Sequence, residues 1–297
     1  MGSITMPNIL ITGSCGQLGS EIKELSKKYN DNSYFFTDRE TLDITDLKAT
    51  VNFINTNNID VVINCAAYTA VDKAEEDEIN ANIVNHLAVR QMANIAKEKH
   101  IKLIHISTDY VFDGSSNRPY TEEDLPNPQG VYGATKLAGE KAMQEINPQN
   151  SIIIRASWVY SSYGNNFVKT MLRLGKERDE ISVIFDQVGT PTYARDLAEA
   201  ILTITQNSTL NSQHSVMVYH YSNEGVASWY DFAKAIFEMS GIMCEAKPIE
   251  TEGYPTPATR PHYSVFNKTK IKKEYNITIP YWRDSLKECL EKMGETA

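Results

Sequence analysis

At 297 residues, 41% of them hydrophobic and 23% charged, the chain has the make-up of a soluble globular protein, long enough for one large α/β domain carrying a smaller lobe. A net charge of -9, with nothing gathering Lys and Arg into a stripe, argues against a nucleic-acid surface. No apolar run approaches a membrane span, and the start lacks the basic and apolar regions of a signal peptide. Cys15, Cys65, Cys244 and Cys289 have neither metal-site nor disulfide-framework spacing, so the expected setting is cytoplasmic and reducing.

Met1 to Thr5 are expected to be an expression remnant ahead of Met6. Asn8 to Thr12 then read as an apolar strand that runs into Gly13, Gly16 and Gly19, followed by a helix with Leu18, Ile22 and Leu25 on one face. A strand, a glycine turn and a helix start leave backbone N–H groups and a positive helix end aimed at one spot, which suits a pyrophosphate. Gly13 permits the tight turn, Gly16 leaves room for phosphates, and Gly19 lets the helix approach the sheet. The spacing is Gly-x-x-Gly-x-x-Gly and not the commoner Gly-x-Gly-x-x-Gly.

Ser33 to Thr37 form the second strand, ending at Asp38-Arg39, where an adenosine ribose is usually read. Asp38 favours a free 2′-hydroxyl and Arg39 a 2′-phosphate, so the pair leaves NAD and NADP both open. Asp43-Ile44-Thr45-Asp46 opens the next helix. Asp60 to Asn64 are a third strand, and Cys65-Ala66-Ala67-Tyr68 at its end puts small residues on the ligand side of a parallel sheet. A helical pattern covers Glu75 to His100, with His86 a structural or surface residue. The strand Ile101 to Ile106 then delivers Ser107-Thr108-Asp109-Tyr110 to the same rim.

The chemistry is expected from Val131 to Glu140, a helix that puts Tyr132 and Lys136, four apart, on one face. A phenol of pKa ~10 is a poor acid at neutral pH, and a neighbouring ammonium is expected to lower that value. Tyr132 then becomes a proton donor to a carbonyl oxygen. Further on, Gly164 to Val168 lead into a helix through Arg173, Asp186 to Thr192 form a polar cleft loop, and Arg195 to Thr205 are helical. Val216 to Tyr221 are a strand returning to the large sheet, Ser228 to Met239 a helix, and Tyr275 to Glu291 the last loop and helix. The nucleotide-binding domain is therefore expected at 6–160 plus about 194–224, and the substrate lobe at about 161–193 plus 225–297.

The glycine pattern, Thr108 and Tyr-x-x-x-Lys resemble the extended short-chain dehydrogenase/reductase family over nearly the whole chain. Longer blocks resemble its dTDP-4-dehydrorhamnose reductase branch: Ala66-Ala67-Tyr68-Thr69-Ala70-Val71-Asp72-Lys73-Ala74-Glu75, Ser107 to Gly114, Tyr132 to Glu140 and Arg155 to Tyr160. That resemblance implies a Rossmann-type doubly wound parallel sheet and NAD(P)H-dependent reduction of dTDP-4-dehydro-L-rhamnose to dTDP-L-rhamnose, an activated sugar for surface polysaccharide. Carried over by position, it implies Thr108, Tyr132 and Lys136 as catalytic residues. It implies cofactor contacts at Gly13, Gly16, Gln17, Leu18, Asp38, Arg39, Asp43, Ile44, Ala66, Ala67, Tyr68, Tyr132 and Lys136, and substrate contacts at Thr69, Val71, Thr108, Asp109, Trp158, Asn165 and Arg260.

Some relatives dimerise through a Mg2+ site built from glutamates. Glu21 matches one ligand, but Arg195 stands where another is acidic, which argues against a metal bridge and for a monomer. Two rival readings are a reductase of another nucleotide 4-keto-6-deoxysugar and a non-catalytic NADP-binding regulatory subunit. A dehydratase is disfavoured because Tyr110, not Glu, follows Asp109.

Overall fold

The computed structural model describes residues 7–29, 32–206 and 215–296, so the expected remnant at Met1 to Thr5 lies outside the described residues. The first half alternates strand and helix. β1 (Asn8–Thr12) leads into α1 (Gln17–Leu25), β2 (Ser33–Phe36) into α2 (Leu47–Thr56), and β3 (Val61–Asn64) into the short helices α3 (Val71–Ala74) and α4 (Glu78–Asn82). A π-helical turn at Ile83–Leu87 joins α4 to α5 (Ala88–Lys99), after which come β4 (Lys102–Thr108), α6 (Val131–Ile146) and β5 (Ile152–Ala156). The second half holds β6 (Val159–Tyr160), α7 (Phe167–Glu177), β7 (Glu180–Ile184), β8 (Val188–Gly189), β9 (Thr192–Tyr193) and α8 (Ala194–Gln206). β10 (Met217–Tyr221), β11 (Ala227–Ser228), α9 (Trp229–Ser240), β12 (Glu245–Ile249), α10 (Thr269–Tyr275) and α11 (Trp282–Met293) complete it.

Six strands form one parallel sheet in the order β10-β5-β4-β3-β1-β2. β3 and β5 are buried along their whole length because helices cover both faces, which is why they read as unbroken apolar runs. The chain steps from β1 out to β2, then crosses to β3 on the other side of β1. Ligands of such sheets bind outside the carboxyl ends of the strands at that reversal. The glycine turn after β1 lies there.

α8 packs on α1, and β10 pairs with β5, so the chain returns to the large sheet as the sequence reading expects. A second core gathers Tyr160, Tyr193, Phe232 and Trp282 around α7, α9, α11 and the parallel β7–β12 pair. α10, which the sequence assigns to the lobe, packs instead on the large core through Ile271 and Tyr275. α9 starts at a capping box in which the Ser228 hydroxyl accepts from the Asp231 N–H and the Asp231 carboxylate accepts from the Ser228 N–H. Such a cap stabilises a helix by roughly 1 kcal/mol.

An ion cluster ties α1 to α8 and α11. Fully buried Glu21 accepts from Lys292 at 2.8 Å, Arg195 at 3.3 Å and Ser161 Oγ at 2.6 Å. Glu24 accepts from Arg195 at 2.7 Å and Tyr163 OH at 2.7 Å, with Lys292 at 2.8 Å. Lys292 first, and then Tyr163, hold the Glu24 carboxyl down at about 2 against an ordinary 4.5. Because the folded pKa is depressed, this contribution to stability is complete above about pH 4.5 and is lost as the pH falls toward 2. Glu24→Gln should therefore flatten the dependence of the urea midpoint on pH across that window. An unchanged slope would show that the cluster contributes no linkage.

Candidate active site

A cleft of about 1290 Å³ opens at the carboxyl ends of β1, β3 and β4. Gly13 turns the chain out of β1 with φ +65°, and a Cβ there would stand 2.7 Å from the Ala66 backbone nitrogen. Glycine is therefore required by both conformation and contact. The end of β3 lies directly against the glycine turn, which brings Ala66, Ala67 and Tyr68 to the same wall as Gly16, Gln17 and Leu18. No side chain caps the start of α1, so its first N–H groups and the positive end of its dipole are left for a ligand. An uncapped helix start beside a side-chain-free turn fits a dinucleotide pyrophosphate. Gly13→Ala should destabilise the fold by at least the roughly 1–2 kcal/mol that a left-handed L-residue costs; urea unfolding checks this, and an unchanged midpoint would contradict it.

The adenosine end is lined by Asp38, Arg39, Asp43 and Ile44. Asp38 Oδ1 accepts from the Glu40 and Thr41 N–H groups at 3.1 and 3.0 Å, while Cys15 Sγ donates to Oδ2 at 3.2 Å. The turn after β2 thus uses this carboxylate to hold its own shape. Arg39 is 91% exposed, with only a 3.8 Å approach to Asp43.

The other end of the cleft carries Thr108 from β4 and Tyr132 and Lys136 from α6. α6 approaches this closely because residue 133 is glycine: a Cβ there would fall 2.1 Å from the Tyr110 carbonyl oxygen. The Tyr110 and Tyr132 rings meet edge to face, 5.4 Å apart. Thr108 Oγ1 accepts from the Tyr110 N–H at 3.2 Å and donates to Asp109 Oδ1 at 3.0 Å.

One expectation fails here. Burial pushes the Tyr132 phenol up to about 12, the Thr108 hydroxyl pulls it part of the way back, and Asp109 raises it further. Lys136 does not lower it, because its Nζ donates to the Ile106 carbonyl at 2.6 Å and lies 3.4 Å from His105 Nε2. Desolvation of the phenolate sets the direction of the shift. Tyr132 accordingly keeps its proton throughout the neutral range. Burial also lowers Lys136 to about 8, opposed by Glu140 and Cys65. Beneath it runs a buried chain in which Thr12 Oγ1 donates to Asn64 Oδ1 at 2.7 Å and Asn64 Nδ2 lies 3.1 Å from His105 Nδ1. Burial and then Lys136 depress His105, so its ring is neutral.

Thr69, Val71, Asp109, Trp158 and Asn165 line the remainder of the cleft. Trp158 holds φ +49°, a strained conformation for a bulky residue, and stacks on Trp229 with centroids 3.6 Å apart. Arg260 does not line it. Its guanidinium is bidentate to Asp72, at 2.9 and 2.7 Å, and also donates to Thr256 Oγ1. The carboxylate one residue past Val71 thus already holds the arginine expected to clamp a diphosphate.

The family model described as the RmlD substrate binding domain matches residues 7–295. The chain belongs to the RmlD family. It is 40% identical over 288 residues to the dTDP-4-dehydrorhamnose reductase of Aggregatibacter actinomycetemcomitans, covering 95% of this chain and 98% of that one. A dTDP-4-dehydrorhamnose reductase crystal structure from Clostridium acetobutylicum superposes with a TM-score of 0.90 at 42% identity, covering 97% of this chain and 99% of that one. A Bacillus anthracis dTDP-4-dehydrorhamnose reductase in complex with NADP superposes at 0.91 with 37% identity and the same coverages.

Two features of this RmlD-family site escape a linear reading. Asn85 sits in the π-helical turn, where its Oδ1 accepts from the Tyr68 N–H at 2.9 Å and its Nδ2 donates to the Tyr68 carbonyl at 3.1 Å, pinning the end of the Ala66–Tyr68 wall. A lone Asn on the buried side of a helix is the available signal. His105 alternates into the layer under Lys136, and only β4 pairing with β3 reveals its link to Asn64.

Proposed function

We propose that the protein is an NADPH-dependent reductase that converts dTDP-4-dehydro-L-rhamnose to dTDP-L-rhamnose. The observation that carries this reading is the convergence of Thr108, Tyr132 and Lys136 on one wall of a cleft whose far end is an uncapped, glycine-lined helix start. Membership of the RmlD family, whose relatives include named dTDP-4-dehydrorhamnose reductases, supports the substrate. Arg39, exposed and only loosely paired with Asp43, and the NADP held by the Bacillus anthracis relative support NADP over NAD.

In this reading the bound nicotinamide supplies a hydride to the C4 carbonyl carbon of the sugar. Tyr132 transfers its phenolic proton to the carbonyl oxygen as negative charge develops there, so the ketone becomes an alcohol and a phenolate remains. Lys136, held by the Ile106 carbonyl, would hold the nicotinamide ribose as a cation. Thr108 is placed to donate to the same oxygen. Loss of the Lys136 proton removes this support, so turnover is expected to fall as the pH rises through about 8.

Asn165, and Trp158 stacked on Trp229 of the lobe, form one side of the cleft, and we assign the sugar nucleotide to that side. Glu21 has its oxygens taken up by Lys292, Arg195 and Ser161, which supports a monomer without a metal bridge. No described helix is long and apolar enough to cross a membrane, and we place the enzyme in the cytoplasm. The test is oxidation of NADPH and of NADH over a panel of dTDP- and GDP-linked 4-keto sugars. Fastest turnover with NADPH and dTDP-4-dehydro-L-rhamnose is expected; turnover of a different sugar would shift the substrate, and none with any would favour a binding module.

A further inference from the structure

Thr108 has one hydroxyl proton and three groups that want it. In the structure that proton goes to Asp109 Oδ1 at 3.0 Å, while one lone pair of Oγ1 accepts from the Tyr110 N–H. The Thr108 hydroxyl is also the hydrogen-bond partner that lowers the Tyr132 pKa, which it does by donating to the phenolate form. A reacting carbonyl oxygen would be the third claimant. A hydroxyl donates once, so an ionised Asp109 competes directly with the chemistry.

The surroundings of Asp109 bear on how that competition ends. Its side chain is 2% exposed, and its Oδ2 is buried without a hydrogen-bond partner. Ser264, on the C-terminal segment that crosses this wall, is equally buried, and its Oγ is likewise unpartnered. Burial raises the Asp109 carboxyl to about 6, and the Ser264 and Thr108 hydroxyls and the local N–H groups offset only part of it. The groups facing it are Thr108 and Tyr110 on its own segment, Tyr132 on α6 and Ser264; Arg260 and its partner Asp72 act on neighbouring Tyr110. A substrate closing over the wall would desolvate the carboxyl further, in the same direction.

We propose that Asp109 is a positioning residue that acts through Thr108: in its protonated form it donates to Thr108 Oγ1 and thereby turns the Thr108 proton toward the reacting oxygen. The balance is simple. The acid proton on Oδ1, taken up from solvent when Asp109 is protonated, fills the second lone pair of Thr108 Oγ1, and the Thr108 proton then turns from Asp109 to the substrate oxygen or the Tyr132 phenolate. Ionised Asp109 reverses the bond and withdraws Thr108 from the reaction. The inference rests on the reductase reading above.

The test is kcat for reduction at saturating NADPH and sugar nucleotide from about pH 5 to about pH 9, for the wild type, Asp109→Asn and Thr108→Val. The wild type should show two falls with rising pH, each approaching about tenfold per unit, one from Asp109 and one near 8 from Lys136. Asp109→Asn should lose the lower fall and keep the upper one. Thr108→Val should be slower than the wild type below the lower fall, approach it above that fall, and lack the fall itself, since Asp109 then has nothing to act through. Infrared difference spectra of the wild type should show a protonated carboxyl band on mild acidification that is absent in Asp109→Asn. A lower fall that persists in either variant would overturn the proposal, as would its absence from the wild type or the lack of that carboxyl band. Absence of any turnover at any pH would instead overturn the reductase reading.

Discussion

Tyr132→Phe should lower kcat by about 10²–10⁴-fold, the range expected when a positioned general acid is removed, while leaving NADPH affinity within about twofold. The split follows from the geometry. The ring of Tyr132 packs edge to face on Tyr110, and phenylalanine keeps that contact. The hydroxyl contributes nothing to the glycine turn or the start of α1, where the pyrophosphate is expected to sit. Burial keeps the phenol protonated to about 12, so it starts each cycle as an acid at neutral pH. Stopped-flow turnover together with fluorescence titration of NADPH separates the two effects. Near-normal turnover in the variant would remove Tyr132 from the mechanism, and a parallel loss of cofactor affinity would make it a binding residue.

Arg155→Met should destabilise the protein by about 3–5 kcal/mol, because it strands a buried carboxylate. Arg155 on β5 and Glu140 on α6 are 3% and 1% exposed, and their side chains meet through Nε at 3.0 Å and Nη2 at 2.6 Å. The guanidinium also lies 5.1 Å from the Phe112 ring centre and 3.4 Å from His220 Nε2. Losing the partner alone strips Glu140 of its hydrogen-bonded cation and leaves only the Lys136 charge one turn away. Replacing both, as Arg155→Met with Glu140→Leu, should restore most of the stability, since an apolar pair of similar volume often matches a buried ion pair. Urea unfolding of the two single variants and the double variant measures the coupling. A double variant no more stable than Arg155→Met would contradict this account.

The pair also reaches the active site. Glu140 lies one turn beyond Lys136 on α6 and raises the Lys136 pKa against the effect of burial. In the double variant that support is gone, so the high-pH loss of turnover should move to lower pH. An unmoved profile would mean that the cation on Lys136 does not limit the rate.

Features carried by short spacings were legible in the sequence. The glycine turn, the small residues after β3, the Thr108 rim and the four-residue step from Tyr132 to Lys136 are each set within one strand-to-helix unit, and all line the cleft. What the sequence left hidden depends on partners far along the chain. Arg260 meets Asp72, 188 positions away, and so faces a carboxylate already in place. The Lys136 amine turns to Ile106 and His105 on β4, which depends on how closely α6 packs. The sign of the Tyr132 shift was misread for a related reason. Sequence spacing reports the nearby ammonium but not the burial that sets the sign. The extra residue of the π-helical turn, which sets Asn85 facing Tyr68, leaves no mark in the apolar periodicity of Glu75 to His100.

The most direct test follows the hydride itself. NADPH carrying deuterium at the transferable C4 position, incubated with the protein and dTDP-4-dehydro-L-rhamnose, should give dTDP-L-rhamnose with one deuterium at sugar C4 for each NADPH oxidised, read by proton NMR and mass. Sugar that is turned over without deuterium at C4, or cofactor that is bound but never oxidised, would contradict the assignment of this cleft as a reductase site.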